Sequence, residues 1–340
     1  MADWCGDVIR IAIVGYGIIG KRHADIVRAH PACSLAAVID PVPDQVGDIA
    51  EPVFASIHTV DVPVDAAIVA TPSDLHADHA VACAARGWHM IVEKPVAHSL
   101  EAGAQIVAAF KAAGVHTLVG HHRRHHKNMV TLKNILDSGA IGAPVSATLM
   151  WLMKKPDPYF DVPWRSGDGG SPVTMNLVHD IDLLRYLLGD VIDVTALHGK
   201  SLRGADRNEN GVVALRFDSG ATATIAFADV TPSPWGFETA TSESPAIPAT
   251  RQDMLFIAGT AGAVSYPSLT VWTGAADWTE KPDADQHGTD DTIPFRAQLD
   301  HFLELLAGKV PPRVDVAEGL ETLRVTLEAE ALLARHRRAL

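Results

Sequence analysis

The segment that most constrains the fold is a glycine-rich turn near the start of the chain, Gly15-Tyr16-Gly17-Ile18-Ile19-Gly20. An apolar, β-rich run at 8–14 precedes it, and a helical pattern at 21–29 follows it. Between a strand and a helix, Gly-x-Gly-x-x-Gly predicts a tight turn whose backbone approaches a pyrophosphate, with helix N–H groups pointing at it. We therefore expect all six residues of the turn to bind a dinucleotide.

A carboxylate follows the next predicted strand. That strand, 34–39, ends at Asp40, about 20 residues beyond the last glycine, where such folds place an acceptor for the ribose 2′-OH. A carboxylate there repels a 2′-phosphate, so the sequence favours NAD over NADP. The alternative is that Asp40 is only a turn residue before Pro41.

Strands and helices continue to alternate through the first part of the chain. Further strands are predicted at 66–70, 89–92 and 116–119, with a helix ending near 85 and another at 100–113. This alternation predicts a parallel, doubly wound α/β sheet of the Rossmann type, whose ligands bind beyond the carboxyl ends of the strands. The residues expected at that edge, and predicted to contact the cofactor, are Thr71, Pro72, His76, Glu93 and Lys94.

The Glu93-Lys94-Pro95 stretch lies at the end of an apolar strand. A lysine fixed by a following proline is placed to move a proton at the sheet edge, which makes Lys94 a candidate catalytic and substrate-binding residue. The alternative is a salt-bridged Glu–Lys pair that opens a loop.

After Gly120 the alternation ends. A helix at 128–138 and a series of strand-like segments between 145 and 272 predict an α+β domain with a mainly antiparallel sheet. We expect a dinucleotide-binding domain at 1–123 and a domain for substrate binding and oligomerisation at 124–340. Whether the closing helices, 295–306 and 316–333, pack back on the first domain stays open.

Two segments of the second domain carry candidate substrate-binding residues. On a predicted helix at 174–188, Asn176 and His179 are three positions apart and share a face away from its apolar stripe. In the loop before that helix, Trp164 and Arg165 are predicted to stack on a sugar ring and bind its hydroxyls. Simple packing of the aromatic residues is the alternative.

The run from His121 to His126 has metal-ligand chemistry but lacks an acidic partner at helical spacing, so we expect no metal there. Arg123 is its best candidate for substrate binding. The net charge of −13 disfavours nucleic acid and anionic membranes as partners.

No apolar run of about 18 residues predicts a membrane span, and the first residues do not resemble a signal peptide. The three cysteines are far apart, as in a reduced cytoplasmic protein. We therefore expect a cytoplasmic protein.

Several segments together resemble the Gfo/Idh/MocA oxidoreductases of sugars, cyclitols and related diols. The resemblance covers nearly the whole chain and rests on Gly15-Tyr16-Gly17-Ile18-Ile19-Gly20, Ala70-Thr71-Pro72, Glu93-Lys94-Pro95, Gly120-His121-His122-Arg123-Arg124 and Gly169-Gly170 with His179-Asp180-Ile181-Asp182. It implies that Lys94 contacts the reacting hydroxyl and the nicotinamide ribose. It also implies that the peptide bond between Lys94 and Pro95 is often cis. It also implies that His179 is a substrate ligand and an acid or base.

The chain departs from this family at one site position. Relatives usually carry a carboxylate four residues before the helix histidine, where this chain has Met175, followed by Asn176. An amide does not accept a proton as a carboxylate does, so we assign the acid–base roles to Lys94 and His179.

The resemblance implies an NAD-dependent dehydrogenase that transfers a hydride between the cofactor and a hydroxyl-bearing carbon of a sugar, cyclitol or polyol. Two alternatives remain: an NAD-dependent glycosidase-type enzyme of the same fold, and a nucleotide-binding ligand sensor without turnover. As in the family, a sheet with an uncovered face implies a homo-oligomer, either a dimer or a tetramer.

Overall fold

The computed structural model describes residues 8–204, 207–244, 246–288, 290 and 293–337, apart from the side chain of Asp168. The chain divides into two compact units. The first comprises Met1–His125 and Pro294–Leu323, and the second comprises His126–Ile293 and Arg324–Leu340. Cys33 and Cys83 are buried free thiols, whereas Cys5 lies outside the described residues.

The secondary structure alternates first and then becomes mainly β. The elements up to residue 125 are β1 (Ile9–Val14), α1 (Ile18–Arg28), β2 (Cys33–Ile39), β3 (Val53–Phe54), β4 (Ala66–Val69), α2 (His76–Ala85), β5 (His89–Val92), α3 (Leu100–Ala113) and β6 (Thr117–Val119). The second unit contains α4 (Lys127–Asp137), β7 (Pro144–Leu152), α5 (Pro163–Ser166), α6 (Val178–Leu188), β8 (Val191–His198), β9 (Asn210–Phe217), β10 (Thr222–Ala228), α7 (Phe237–Thr241), β11 (Leu255–Gly259), β12 (Gly262–Tyr266), β13 (Thr270–Thr273) and β14 (Asp283–Gln286). The closing helices are α8 (Pro294–Leu306) and α9 (Val316–Arg337).

The first unit is a parallel six-stranded sheet in the order β3-β2-β1-β4-β5-β6. Its strands are short apolar runs, because helices cover both faces of such a sheet. Ile11, Ile13 and Ile68 form its core together with Leu299 and Phe302 of α8. The predicted doubly wound fold is confirmed. Its strand order reverses between β1 and β4, which puts the Gly15 turn and the ends of β4 and β5 along one edge.

The second unit is an eight-stranded sheet in the order β14-β13-β12-β11-β7-β10-β9-β8. Every pairing is antiparallel except the parallel pair of β7 and β10, so the predicted mainly antiparallel sheet is confirmed. One face packs on a core that includes Leu132 of α4, Ile181 of α6 and Leu333 of α9. The opposite face is largely exposed, with Leu197 at 59% and Val212 at 40%.

Some local structure departs from the sequence-based expectation. The predicted helix at 174–188 begins as a π turn, Val173–Leu177, and becomes α-helical at Val178. The segment 232–250, predicted as a long loop, contains the short helix α7. Strand β14 was not predicted, because its four residues are all exposed and show no apolar alternation. Among the described residues, no helix is long and apolar enough to cross a membrane.

Candidate active site

The three glycines of the first turn meet different steric demands. Gly15 has a φ of 89°, and a Cβ there would lie 2.8 Å from Cγ2 of Thr71. A Cβ on Gly20 would overlap the carbonyl oxygen of Gly15, whereas a Cβ on Gly17 would meet nothing within 4 Å. Gly17 directly precedes α1, so open space adjoins the helix N-terminus, where a pyrophosphate binds. The turn therefore fits the dinucleotide predicted from its sequence.

Asp40 lies beside this turn, at the end of β2. Its Oδ2 accepts the backbone N–H of Tyr16 at 2.9 Å, and its Oδ1 accepts that of Val42 at 3.0 Å. A carboxylate has about four lone-pair sites, so these two bonds orient Asp40 and leave capacity for a ribose hydroxyl. The nearby cation Arg28 donates to the Tyr16 hydroxyl at 3.2 Å and is paired with Glu51 at 2.7 Å. Because that cation is already paired, the site suits NAD and its free 2′-hydroxyl.

His76 joins two loops of the sheet edge. Its Nε2 lies 2.9 Å from the Thr71 carbonyl oxygen and its Nδ1 lies 3.0 Å from that of Pro95. The ring is only 1% exposed, and burial lowers its pKa although the carbonyl contacts act in the opposite direction. His76 thus fixes the loop after β4 to the Lys94-Pro95 segment, and Pro72 stays exposed beside it. Whether His76 and Pro72 also contact the cofactor stays a prediction.

Glu93 and Lys94 follow β5 directly. The Glu93 carboxylate accepts Nε2–H of His23 at 2.8 Å and the backbone N–H of Lys94 at 3.2 Å. Burial alone would raise the pKa of Glu93, but the hydrogen bond and charge of His23, with the charges of His122 and Lys94, lower it to about 2. A Cβ on Gly120 would come within 2.8 Å of this carboxyl group, so glycine is needed to make room for it.

Lys94 is half-buried, and its peptide bond to Pro95 is cis. The Glu93 carboxylate accepts the backbone N–H of Lys94, and this hydrogen bond fixes the position of the Lys94 backbone at the carboxyl edge of the sheet. Within the first unit, the structure thus brings the predicted residues Gly15, Asp40, Thr71, His76, Glu93 and Lys94 to the ends of neighbouring strands.

All six residues from His121 to His126 are buried. His122 stacks on Phe295 with ring centroids 4.2 Å apart, and Arg124 donates to the Arg313 carbonyl at 3.2 Å. Burial and the charge of Arg313 hold the pKa of His125 well below its usual range. Among the described residues, no group of three or more His, Cys, Asp or Glu is arranged to hold a metal ion. Arg123 is 2% exposed, and its predicted contact with substrate stays a prediction.

In the second unit, the π turn places Asn176 just before α6, which carries His179. His179 is 5% exposed. Among the described residues, the buried Oδ1 of Asn176 has no hydrogen-bond donor. A buried acceptor without a donor costs free energy, and π turns inside helices often occur at functional sites. These features fit a residue that accepts a ligand hydroxyl.

The loop before this helix holds the other predicted substrate residues. Trp164 is 50% exposed, and the Arg165 guanidinium lies 5.4 Å from the centre of its ring. Arg165 also lies 4.4 Å from the Tyr159 ring and donates from NH1 to the Tyr159 carbonyl at 3.3 Å. Tyr159 and Phe160 are packed edge to face, so part of this loop is indeed aromatic packing.

Sequence reasoning missed His23 and Gly120. His23 lies on the buried face of α1 with Ala24 and Val27, a pattern that indicates core packing and does not reveal a partner 70 residues away. Gly120 belongs to one of the segments that resemble the family, but neither that motif nor its position after a strand reveals that it makes room for the Glu93 carboxyl group.

Two family profiles match the chain. The profile described as "Oxidoreductase family, NAD-binding Rossmann fold" matches residues 9–121, and the "GFO/IDH/MocA C-terminal domain" matches residues 129–265. Myo-inositol 2-dehydrogenase of Thermotoga maritima is 29% identical over 64% of this chain and 67% of its own length. Inositol 2-dehydrogenase of Rhizobium meliloti is 31% identical over 64% of this chain and 68% of its own.

A solved structure agrees over a longer stretch. The WlbA dehydrogenase from Bordetella pertussis, in complex with NADH and UDP-GlcNAcA, has a TM-score of 0.78 and 25% sequence identity, over 97% of this chain and 96% of that chain. With the glycine turn, the Asp40 carboxylate and the Glu93-Lys94-Pro95 edge in place, the chain belongs to the Gfo/Idh/MocA family of oxidoreductases, and its first domain is an NAD-binding Rossmann domain.

Proposed function

We propose that this oxidoreductase is an NAD-dependent dehydrogenase of a sugar, cyclitol or related polyol, with Lys94 and His179 as its proton-transferring residues. The observation that carries the proposal is the position of Lys94. It follows β5 at the carboxyl edge of an NAD-binding sheet, and its backbone is held by a buried carboxylate. Relatives named as inositol dehydrogenases support a polyhydroxylated substrate.

The residues that would hold NAD are the six of the glycine turn, Asp40, Thr71, Pro72, His76, Glu93 and Lys94. When bound, the nicotinamide accepts or donates the hydride. The turn supplies backbone N–H groups and space beside Gly17, and Asp40 accepts from the ribose. Glu93 is buried, and its carboxylate positions Lys94 by accepting the backbone N–H of that residue.

The chain's own part in the reaction is to orient a hydroxyl and to move its proton. Lysine and histidine side chains serve here because each can accept and donate a proton at the substrate hydroxyl. Asn176 accepts a substrate hydroxyl through the buried oxygen that lacks a donor among the described residues. Arg123, Trp164 and Arg165 complete the proposed set of substrate-binding residues.

The test is NADH formation on a panel of inositols, sugars and polyols. In Lys94→Ala, we expect kcat to fall by about 10² to 10⁴, the range of a lost acid–base group, while the Kd for NAD changes little. Fluorescence titration of NADH measures the second quantity. Lys111→Ala, an exposed lysine of α3, is the matched control. Retained turnover in Lys94→Ala would refute the assignment.

The same panel separates the two alternatives. Stoichiometric NADH supports the dehydrogenase. Glycoside cleavage without net NADH supports the glycosidase-type enzyme instead. Ligand binding without either product supports the sensor.

We also propose that the chain is a cytoplasmic homo-oligomer that uses the exposed face of its second sheet. Leu197, Val212 and Phe256 lie on that face at 59%, 40% and 41% exposure. Exposed apolar groups arranged on one sheet face are typical of a protein–protein interface.

A further inference from the structure

Several cationic side chains lie over the aromatic rings of the segment that precedes Trp164 and Arg165. Two aromatic rings, Tyr159 and Phe160, lie 5.2 Å apart. Four cationic side chains lie over them. Lys155 and Arg165 are 4.9 and 4.4 Å from the Tyr159 ring, and Arg203 and Arg207 are each 4.6 Å from the Phe160 ring. We call these six residues the basic cluster.

The two cations over Phe160 have carboxylate partners. Arg203 pairs with Asp157 at 2.8 Å, and the fully buried Arg207 pairs with the fully buried Asp229 at 2.5 Å. Asp157 and Asp229 therefore neutralise the two arginines over the Phe160 ring, and this side of the basic cluster has a structural role.

Arg165 differs from them. Among the side chains that the structure describes, no carboxylate pairs with Arg165, and the hydrogen bond of its guanidinium runs from NH1 to the Tyr159 carbonyl. Its Nε is buried without an acceptor among those residues. A buried N–H without an acceptor is costly, and Nε with the neighbouring amino group forms one side of the guanidinium that binds a carboxylate in bidentate fashion. Arg165 is therefore oriented by a ring and a carbonyl, and no carboxylate of the described side chains is paired with it.

The loop is connected tightly to the candidate site. Gly170 lies so close to Arg165 that a Cβ on it would overlap the Arg165 carbonyl oxygen. Ser171 follows, and its carbonyl accepts the Met175 N–H at 3.1 Å at the start of the π turn that presents Asn176. The position of Arg165 is thus coupled to the segment that carries the unsatisfied Asn176 oxygen.

We infer that the substrate of this enzyme carries a carboxylate on its polyhydroxylated skeleton, as in a sugar acid, and that Arg165 binds that carboxylate with Tyr159 behind it. The inference rests on the proposed dehydrogenase function. The chain's net charge of −13 repels anions in general, so an anionic substrate needs a dedicated local cation. A guanidinium held against an aromatic ring supplies one with a fixed orientation.

The experiment compares matched substrates: glucuronate with glucose, and galactonate with galactitol. Calorimetry with the NAD-loaded full chain measures binding, and NADH formation measures turnover. In the wild type we expect the acids to bind at least tenfold more tightly than their neutral partners. Arg165→Gln should lower kcat/KM for the acids by about tenfold to a hundredfold, the worth of a charge-assisted bidentate contact, and should lower kcat/KM for the neutral partners, which lose only a hydroxyl contact, by a clearly smaller factor.

Two further variants keep the result interpretable. Arg165→Lys retains the charge without the planar fork and should recover part of the loss. Arg216→Gln makes the same change in net charge at an exposed pair with Asp193 and should leave both substrate classes unaffected.

Equal binding of acids and neutral partners by the wild type, or an equal loss for both in Arg165→Gln, would overturn the inference and leave the dehydrogenase standing. Acid binding that depends on Arg165 without NADH formation on any substrate would support the inference and overturn the proposed function. Absence of both binding and NADH formation would overturn both.

Discussion

His23 shows how a single residue of α1 stabilises the end of β5. Its imidazole is 3% exposed and donates to the buried carboxylate of Glu93. That carboxylate also accepts the Lys94 backbone N–H. A loss of the imidazole leaves a buried negative charge with one donor fewer, at the residue next to the proposed catalytic lysine.

We predict that His23→Leu destabilises the protein by about 3 kcal/mol or more, as expected when one partner of a buried pair is removed. His23→Gln keeps an N–H donor at a similar reach and should recover part of the stability. Urea unfolding at pH 7 measures both variants. Equal destabilisation by Leu and Gln would show that His23 contributes packing alone.

The same pair makes a pH-dependent contribution. The folded-state pKa of Glu93, about 2, lies below its ordinary value of 4.5. Its stabilising contribution is therefore fully present above about pH 4.5 and is lost as the pH falls towards 2. In His23→Leu the donor is absent while burial persists, so the folded-state pKa of Glu93 should rise from about 2 towards 4.5. Urea unfolding at pH 3 and pH 7 should therefore show a smaller acid-induced loss from this group in His23→Leu than in the wild type.

At the scale of elements, two glycines of the turn between β1 and α1 have different roles: Gly20 is needed for folding, and Gly17 is proposed to be needed for cofactor binding. Gly20→Ala places a methyl group against the Gly15 carbonyl, so we predict a loss of unfolding free energy of about 1–3 kcal/mol or more. Gly17→Ala meets nothing within 4 Å and should fold nearly as well as the wild type.

Gly17→Ala should nevertheless weaken NAD binding at least tenfold, because its methyl group occupies the space that a pyrophosphate approaches. Thermal unfolding without NAD and NADH fluorescence titration separate the two effects. Unchanged NAD affinity in Gly17→Ala would contradict the proposed binding mode.

The sequence was most informative where local pattern and tertiary environment agree. The buried strands β1, β4 and β5 are apolar runs bounded by turn residues, so pattern alone predicts them closely. The π turn was not predictable, because Ser171 and Pro172 indicate a helix start without specifying its hydrogen-bond spacing. Helix α7 was missed because Pro, Ser and Thr around it are typical of loops.

The residues of the candidate site likewise fall into those that the sequence predicts and those that it does not. Asp40 and Lys94 follow strands directly, and strand ends of a parallel sheet meet at one edge, so both were predicted. The contacts of His23 with Glu93 and of Arg207 with Asp229 join distant segments, and no local periodicity encodes such pairs.

At the scale of the whole molecule, the exposed face of the second sheet leads to a prediction about assembly. Leu197→Lys puts a charge on this face and should shift the protein towards smaller species in sedimentation velocity, because charges are disfavoured in a buried interface core. Ile293→Lys is the matched control, since Ile293 and Leu197 are both 59% exposed and Ile293 lies outside the sheet. Identical sedimentation of both variants and the wild type would refute the proposed interface.

The first unit is assembled from two stretches of sequence separated by most of the second unit. Phe302 of α8 is fully buried against the strands of the first sheet, and the Gln298 side chain donates to the Val119 carbonyl at 2.9 Å. During translation, the sheet therefore leaves the ribosome long before the helix that completes its core. Until residues near 306 are synthesised, the apolar surface of the sheet that α8 covers stays exposed in the nascent nucleotide-binding domain. The core of this domain is thus completed only after α8 has been synthesised, well after the strands of its sheet.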